Sequence, residues 1–224
     1  MFSESFALYL VICAVFGYLL GSIPFGIVIT KLAGYGDLRK VGPGTIGATN
    51  VLRATGSKSL TLLTILLDAF KAGGAAALAY ILCEEPFREL FLFENNIIYM
   101  TTHGTVAALT AGVFAILGHS FPVWLKFKGG KGVASAFGLI LVLSPAVAVL
   151  ALGTWILVAV IFRYSSLSAI TAAALTPLYA WFFAGPAYTL FYTPIVILIL
   201  VRHRTNIMRL IRGEESKITF KKKN

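Results

Sequence analysis

Three stretches of the chain, about residues 6–29, 59–83 and 96–117, are almost unbroken runs of apolar side chains. About 20 such residues in a helix reach across the hydrocarbon of a bilayer, so each run predicts a membrane-spanning helix. From 132 to 202 the sequence is apolar nearly throughout, and its turn signals supply the cuts: Ser144-Pro145, Arg163-Tyr164-Ser165-Ser166 and Gly185-Pro186. Proline ends helices, and a polar cluster resists burial in lipid. Four further spans result, near 130–144, 145–163, 166–184 and 187–202. The first of these is short, so seven spans are expected, with five or six as alternatives. The fold class predicted is all-α, a polytopic membrane helix bundle forming a single domain over residues 1–224.

Charge orients this arrangement. With seven spans, segments 30–58, 118–131, 163–166 and 202–224 share one face, and of the 19 basic residues only Lys71 and Arg88 fall outside them. The opposite face carries Glu4, Glu84, Glu85, Glu89 and Glu94 against Arg88 alone. By the positive-inside rule the basic face is cytoplasmic, which puts the N-terminus outside and the C-terminus inside.

Composition agrees with a membrane protein. The 224 residues are 58% hydrophobic, with a mean hydropathy of +0.86. Only 12% are charged, against roughly 25% in a soluble domain. A net charge of +10 raises nucleic acid as a partner, but the apolar runs leave no soluble domain to display a basic groove, so no nucleic acid is expected. The polyanion implied is an anionic leaflet or a phosphate-bearing substrate. The first apolar run is read as a retained span, because no basic residue precedes Lys31 and no small-residue cleavage site follows it. Cys13 and Cys83 have no metal-ligand spacing and read as packing or lipid-facing residues.

The polar segments carry the candidate chemistry. The first, Gly42-Pro43-Gly44-Thr45-Ile46-Gly47-Ala48-Thr49-Asn50-Val51-Leu52-Arg53, has three glycines that let backbone N–H groups approach an anion. Thr45, Thr49, Asn50 and Arg53 add side-chain donors, while the alternative is an irregular turn with a helix cap. The second runs from Gly118 and His119 through aromatic and lysine alternation to Gly129-Gly130-Lys131-Gly132. Opening directly into a helix, it places N–H groups, the positive end of a macrodipole and an ammonium together, as a phosphate site does. It lacks the spacing of a Walker A loop, and the alternative is a flexible basic loop touching lipid headgroups. In the third, Arg202-His203-Arg204-Thr205-Asn206, His203 and Asn206 share a helical face and serve either as anchors or as site residues. Asp68 and Lys71, inside the second span, predict a mutually neutralising i,i+3 ion pair, and His103 a hydrogen-bonded packing residue.

Through these segments the sequence resembles the bacterial acyl-phosphate-dependent glycerol-3-phosphate acyltransferases, membrane enzymes that make lysophosphatidic acid. The likeness rests on Gly21-Ser22-Ile23-Pro24-Phe25-Gly26, Gly47-Ala48-Thr49-Asn50 with Arg53, the Gly118–Val133 motif, Ser165-Ser166-Leu167, and Arg202-His203 with Asn206-Ile207. The family's seven spans and cytoplasm-facing motifs agree with the topology read from charge. The resemblance implies that Arg53, Lys131, His203 and Asn206 bind substrate and catalyse. It implies substrate contacts at Gly42, Gly44, Thr45, Gly47, Thr49, Asn50, His119, Gly129, Gly130, Gly132 and Ser166. The family's first motif usually reads Gly-Ser-Gly-Asn, whereas here Pro43 stands at the serine position and Thr45 at the asparagine position. Proline has neither hydroxyl nor N–H, so one expected substrate contact is absent.

The reaction implied joins acyl phosphate, from the lipid phase, to glycerol 3-phosphate, from water, at the cytoplasmic face of the bacterial inner membrane. Arg53, Lys131 and the glycine loops would hold phosphates, backbone N–H groups or Asn206 the oxyanion, and His203 or the donor's own phosphate the proton. No Ser-His-Asp spacing is present, so direct transfer is expected, without cofactor or metal. Two rivals stand beside it. A transporter of a phosphorylated solute predicts midplane polar clusters and internal repeats. A phosphotransferase predicts acidic Mg²⁺ ligands, and the cytoplasmic face offers only Asp37, Glu214 and Glu215.

Overall fold

The first apolar run folds as two helices. Helix α1 covers Glu4–Gly21, and α2 covers Phe25–Leu32 after a turn at Ser22 to Pro24. Proline has no N–H and its ring clashes with the preceding turn, so the helix expected over 6–29 breaks there. The protein is described by a computed structural model over residues 4–83, 88–93 and 97–218. It divides into two compact units, residues 1–143 and 144–224.

In the first unit, α3 (Ala48–Thr55) and α4 (Lys58–Ile81) follow, then strands β1 (Arg88–Phe93) and β2 (Ile97–Thr102), α5 (His103–Ser120) and α6 (Val133–Leu143). The two strands pair antiparallel, with Arg88 opposite Thr102. This hairpin is a small addition to a fold that is otherwise helical, as expected, and it moves the third span's start from about 96 to His103. The cause is local. Isoleucine, tyrosine and threonine favour a pleated strand, and Thr102 then caps α5, its hydroxyl accepting the N–H of Thr105 at 3.1 Å. Helix α6 spans only 11 residues, shorter than the 130–144 run suggests, because the basic loop persists to Gly132.

Helices α1 and α5 approach closely. Gly17 and Gly21 lie against the backbone of Ala111 and Ala115, where any Cβ would collide. Apolar lipid gives no driving force for helix association, so small residues that permit backbone contact carry it instead. The Tyr18 hydroxyl donates to the Phe121 carbonyl at 2.8 Å, tying α1 to the end of α5. Phe6 packs on His103 with ring centroids 4.1 Å apart, which gives the buried His103 the packing place expected of it. Helix α4 meets α6 at Ala69, Gly73 and Gly138, and the Ser135 hydroxyl donates to the Asp68 carbonyl at 2.8 Å.

The second unit contains α7 (Pro145–Phe162), α8 (Ser165–Phe183), α9 (Pro186–Arg202) and α10 (Arg204–Ile211). Pro145 and Pro186 open their helices at the position where a missing N–H costs nothing. The Ser144 and Tyr192 hydroxyls bond at 2.9 Å, and those of Thr154 and Tyr179 at 2.7 Å. The last span does not run straight on into the basic segment; α9 and α10 meet at a 58° bend. Among the described residues five segments are long and apolar enough to cross a membrane, and six if that bent pair is one span. The segment from Glu4 to Leu32 is one of them. Both cysteines are free, Cys13 buried and Cys83 half-buried.

Candidate active site

The first polar loop is organised by Asn50. Its buried amide nitrogen donates to the carbonyls of Leu38 and Val41, each at 3.1 Å, and of Thr45 at 2.8 Å. Its oxygen accepts from the Arg53 guanidinium at 3.2 Å. Asn50 was expected to donate to substrate, but its amide hydrogens are engaged by loop carbonyls, so it shapes the loop and aims Arg53. Gly47 caps α3 in extended conformation, while Thr49 is exposed and Thr45 half-buried. Gly44 N–H closes a turn onto the Val41 carbonyl at 3.1 Å. Gly42 occupies a positive φ of 54° there and Pro43 follows at the second central position, where its fixed φ fits and no N–H is required. Beneath the loop lies an apolar cluster of Ile27, Leu38, Ile46 and Val51, and Leu125 of the second loop packs against it. Nearby, Arg39 pairs with Asp37, and its hydrogen bonds hold that carboxyl well below the usual range.

The second loop folds back on the end of α5. Gly129 N–H donates to the Ser120 carbonyl at 3.2 Å and Gly130 N–H to that of His119 at 2.9 Å. These acceptors are among the carbonyls a helix leaves open at its C-terminus. The two glycine N–H groups expected at a phosphate are therefore committed to the fold. Their small size has another cause: a Cβ on Gly129 would run into the His119 carbonyl, and one on Gly130 into the His119 ring. The first turn of α6 is where a helix presents its N-terminal N–H groups, and Lys131, half-buried, lies just before it. Gly132, with φ of 83°, makes the final turn into the helix.

His119 is buried at 5% exposure, its ring set against Gly130 rather than open to solvent. Its Nδ1 lies 3.5 Å from Asp68 Oδ1, and Lys71 Nζ lies 3.0 Å from the same oxygen. The expected Asp68 and Lys71 pair is thus present, and His119 extends it to a triad that the sequence reading did not connect.

In the second unit His203 sits at the bend, 2% exposed, with Nδ1 2.8 Å from the Ile199 carbonyl. Asn206, in α10, donates from its amide to Glu215 at 2.9 Å. The same carboxylate accepts from Ser166 at 3.1 Å and from Arg209 at 2.7 Å. Burial alone would raise the Glu215 carboxyl, but the bonds from Arg209, Asn206 and Ser166 outweigh it and hold it below the ordinary glutamate range. Ser166, expected at substrate, donates its hydroxyl to this carboxylate. Sequence reasoning weighed Glu215 only as a metal ligand, beside Asp37 and Glu214, and did not connect it to Ser166, Asn206 or Arg209. Its place with Glu214 just after Arg202, Arg204, Arg209 and Arg212 was the available sign of a hub.

The family description "Glycerol-3-phosphate acyltransferase" matches residues 11–213. The glycerol-3-phosphate acyltransferase of Rhodospirillum rubrum is 48% identical over 217 residues, covering 97% of this chain and 94% of its own. That of Paramagnetospirillum magneticum is 48% identical over 207 residues, covering 92% of each chain. Among solved structures, the glycerol 3-phosphate form of PlsY, an integral membrane glycerol 3-phosphate acyltransferase, superposes with a TM-score of 0.79 at 36% identity, covering 94% of this chain and 96% of that one. Its lysophosphatidic acid form gives 0.78 at 34% identity, covering 94% and 95%. The chain therefore belongs to the family of integral membrane glycerol-3-phosphate acyltransferases.

Proposed function

We propose that the protein transfers a fatty acyl group from acyl phosphate to the hydroxyl of glycerol 3-phosphate, giving lysophosphatidic acid and inorganic phosphate. The observation that carries this reading is the place of Lys131 in the chain, at the end of a tightly folded loop and two residues before the positive end of α6. Arg53, aimed by Asn50, is the second phosphate ligand in the same unit. Thr45 and Thr49, with Gly42, Gly44 and Gly47 shaping their loop, line the approach.

His203 is the proton acceptor in this reading. A carbonyl only accepts, so the contact to Ile199 keeps the proton of neutral His203 on Nδ1 and leaves Nε2 the basic nitrogen. The hydroxyl oxygen attacks the acyl carbonyl carbon, the proton passes to Nε2 or to the departing phosphate, and the bond from carbon to phosphate oxygen breaks. Within the second unit Asn206, fixed through Glu215, is the side-chain donor that opposes the developing negative charge. Residues 1–224 act as one acyltransferase domain, since the family description runs through both units.

We infer seven spans, taking α6 as a short one, with the N-terminus outside and the basic loops in the cytoplasm of a bacterial inner membrane. The charge asymmetry supports this orientation. At that face a lipid-soluble donor meets a water-soluble acceptor, with membrane lipids around it. Purified protein given acyl phosphate and labelled glycerol 3-phosphate tests the reading: labelled lysophosphatidic acid supports it, and absence of product overturns it.

A further inference from the structure

We propose that Asp68 and Lys71 are positioning residues for the second loop: the carboxylate, neutralised by Lys71, sets the His119 ring against which Gly130 rests, and so fixes Lys131. The inference deepens the reading of this loop as the phosphate-holding segment and rests on it.

Three observations carry it. The Lys71 ammonium, 0% exposed, is held 3.0 Å from Asp68 Oδ1 and 3.1 Å from the Ile23 carbonyl, over the Phe25 ring at 5.8 Å. It is thus anchored to the turn that Pro24 forces between α1 and α2. Asp68 Oδ1 also lies 3.5 Å from His119 Nδ1, and that ring occupies the space where a Gly130 side chain would stand. Finally, the backbone carbonyl of Asp68 accepts from Ser135 at 2.8 Å, just beyond the start of α6. One residue of α4 therefore touches the chain immediately before the loop, at His119, and immediately after it, at Ser135.

A pair serving only to cancel its own charge would not need the carboxylate's contact to His119, and an apolar pair of the same size would fill the place without the cost of burying charge. The loop is where that cost finds a use. With His119 in register, Gly129 and Gly130 keep their bonds to the α5 carbonyls, and Lys131 emerges at one place at the head of α6.

The test replaces both charges at once, Asp68→Leu with Lys71→Met, so that no buried charge is left unpaired. Wild type and variant are compared in detergent by thermal melting and by steady-state kinetics, varying each substrate at saturating levels of the other. The proposal predicts a folded variant whose KM for glycerol 3-phosphate rises about tenfold, with the KM for acyl phosphate within about twofold of wild type. His119→Phe, which leaves the ion pair intact and fills the ring's space, is expected to show the same selective rise. It decides the matter by the same criteria should the double variant fail to fold. A folded variant with both KM values unchanged, or with both raised equally, overturns the proposal. Wild type that makes no lysophosphatidic acid overturns the proposed function and this inference together, whereas active wild type with unaltered variants overturns this inference alone.

Discussion

His203 Nδ1 lies 2.8 Å from the carbonyl oxygen of Ile199, one turn back along α9. That bond orients the ring at the bend and gives the neutral imidazole one tautomer. If Nε2 takes the acceptor hydroxyl's proton, His203→Ala should lower kcat by about 10²-fold or more, the usual worth of a general base. The KM for glycerol 3-phosphate should change far less. Retention of wild-type kcat would assign the proton to the departing phosphate.

Glu215 makes a prediction about stability and pH. Its carboxyl is depressed in the folded protein, so it stabilises the fold above the unfolded glutamate value of about 4.3 and loses that contribution as pH falls through the folded value. Glu215→Gln should therefore lower the melting temperature near neutral pH, by the loss of charge-assisted bonds worth about 1.5–3 kcal/mol each. The gap between wild type and variant should narrow below about pH 4.3. A gap that is constant or widens toward acid would contradict the network.

Pro43 occupies a turn that needs no N–H at its position, so a serine there should be accepted without loss of stability. If the hydroxyl missing from the first loop is a substrate contact, Pro43→Ser raises kcat/KM by roughly tenfold, equivalent to about 1.4 kcal/mol. If Thr45 already supplies it, the serine brings no gain and Thr45→Ala is the damaging change. Steady-state kinetics of the two variants decide.

Topology is tested by labelling. A cysteine placed beside Glu89 should react with an impermeant reagent outside intact cells, and one beside Lys128 only after the membrane is opened. The reverse pattern would contradict the charge-based orientation.

Much of this was legible in the chain. Length and apolarity predicted the helices, Ser144-Pro145 and Gly185-Pro186 marked real boundaries, and Asp68 and Lys71 pair as their spacing implies. What the pattern hid were departures set by single residues or by contacts distant in sequence. Pro24 lies inside an apolar run whose hydropathy outweighs its effect on a spanning count. Isoleucines 97 and 98 suit a strand as well as a helix, and periodicity cannot choose between them in so short a run. In the site, residue types announced donors but not their partners. Asn50 reads as a substrate contact because it carries a donor, and Ser166 through the family resemblance alone; the pattern did not show that they also donate to protein acceptors, three loop carbonyls and Glu215 respectively. The link from Asp68 to His119 spans 51 positions, shown by 119 − 68, and depends on how α4 and α5 pack.

The most direct test of the account is a balance of products. Purified wild-type protein in detergent, with a metal chelator present, is given acyl phosphate and labelled glycerol 3-phosphate, and lysophosphatidic acid and inorganic phosphate are measured together. The account predicts both products in equal amounts, undiminished by the chelator, with Lys131→Ala nearly inactive. Lysophosphatidic acid formed from acyl-CoA as readily as from acyl phosphate, or full turnover by Lys131→Ala, would contradict it.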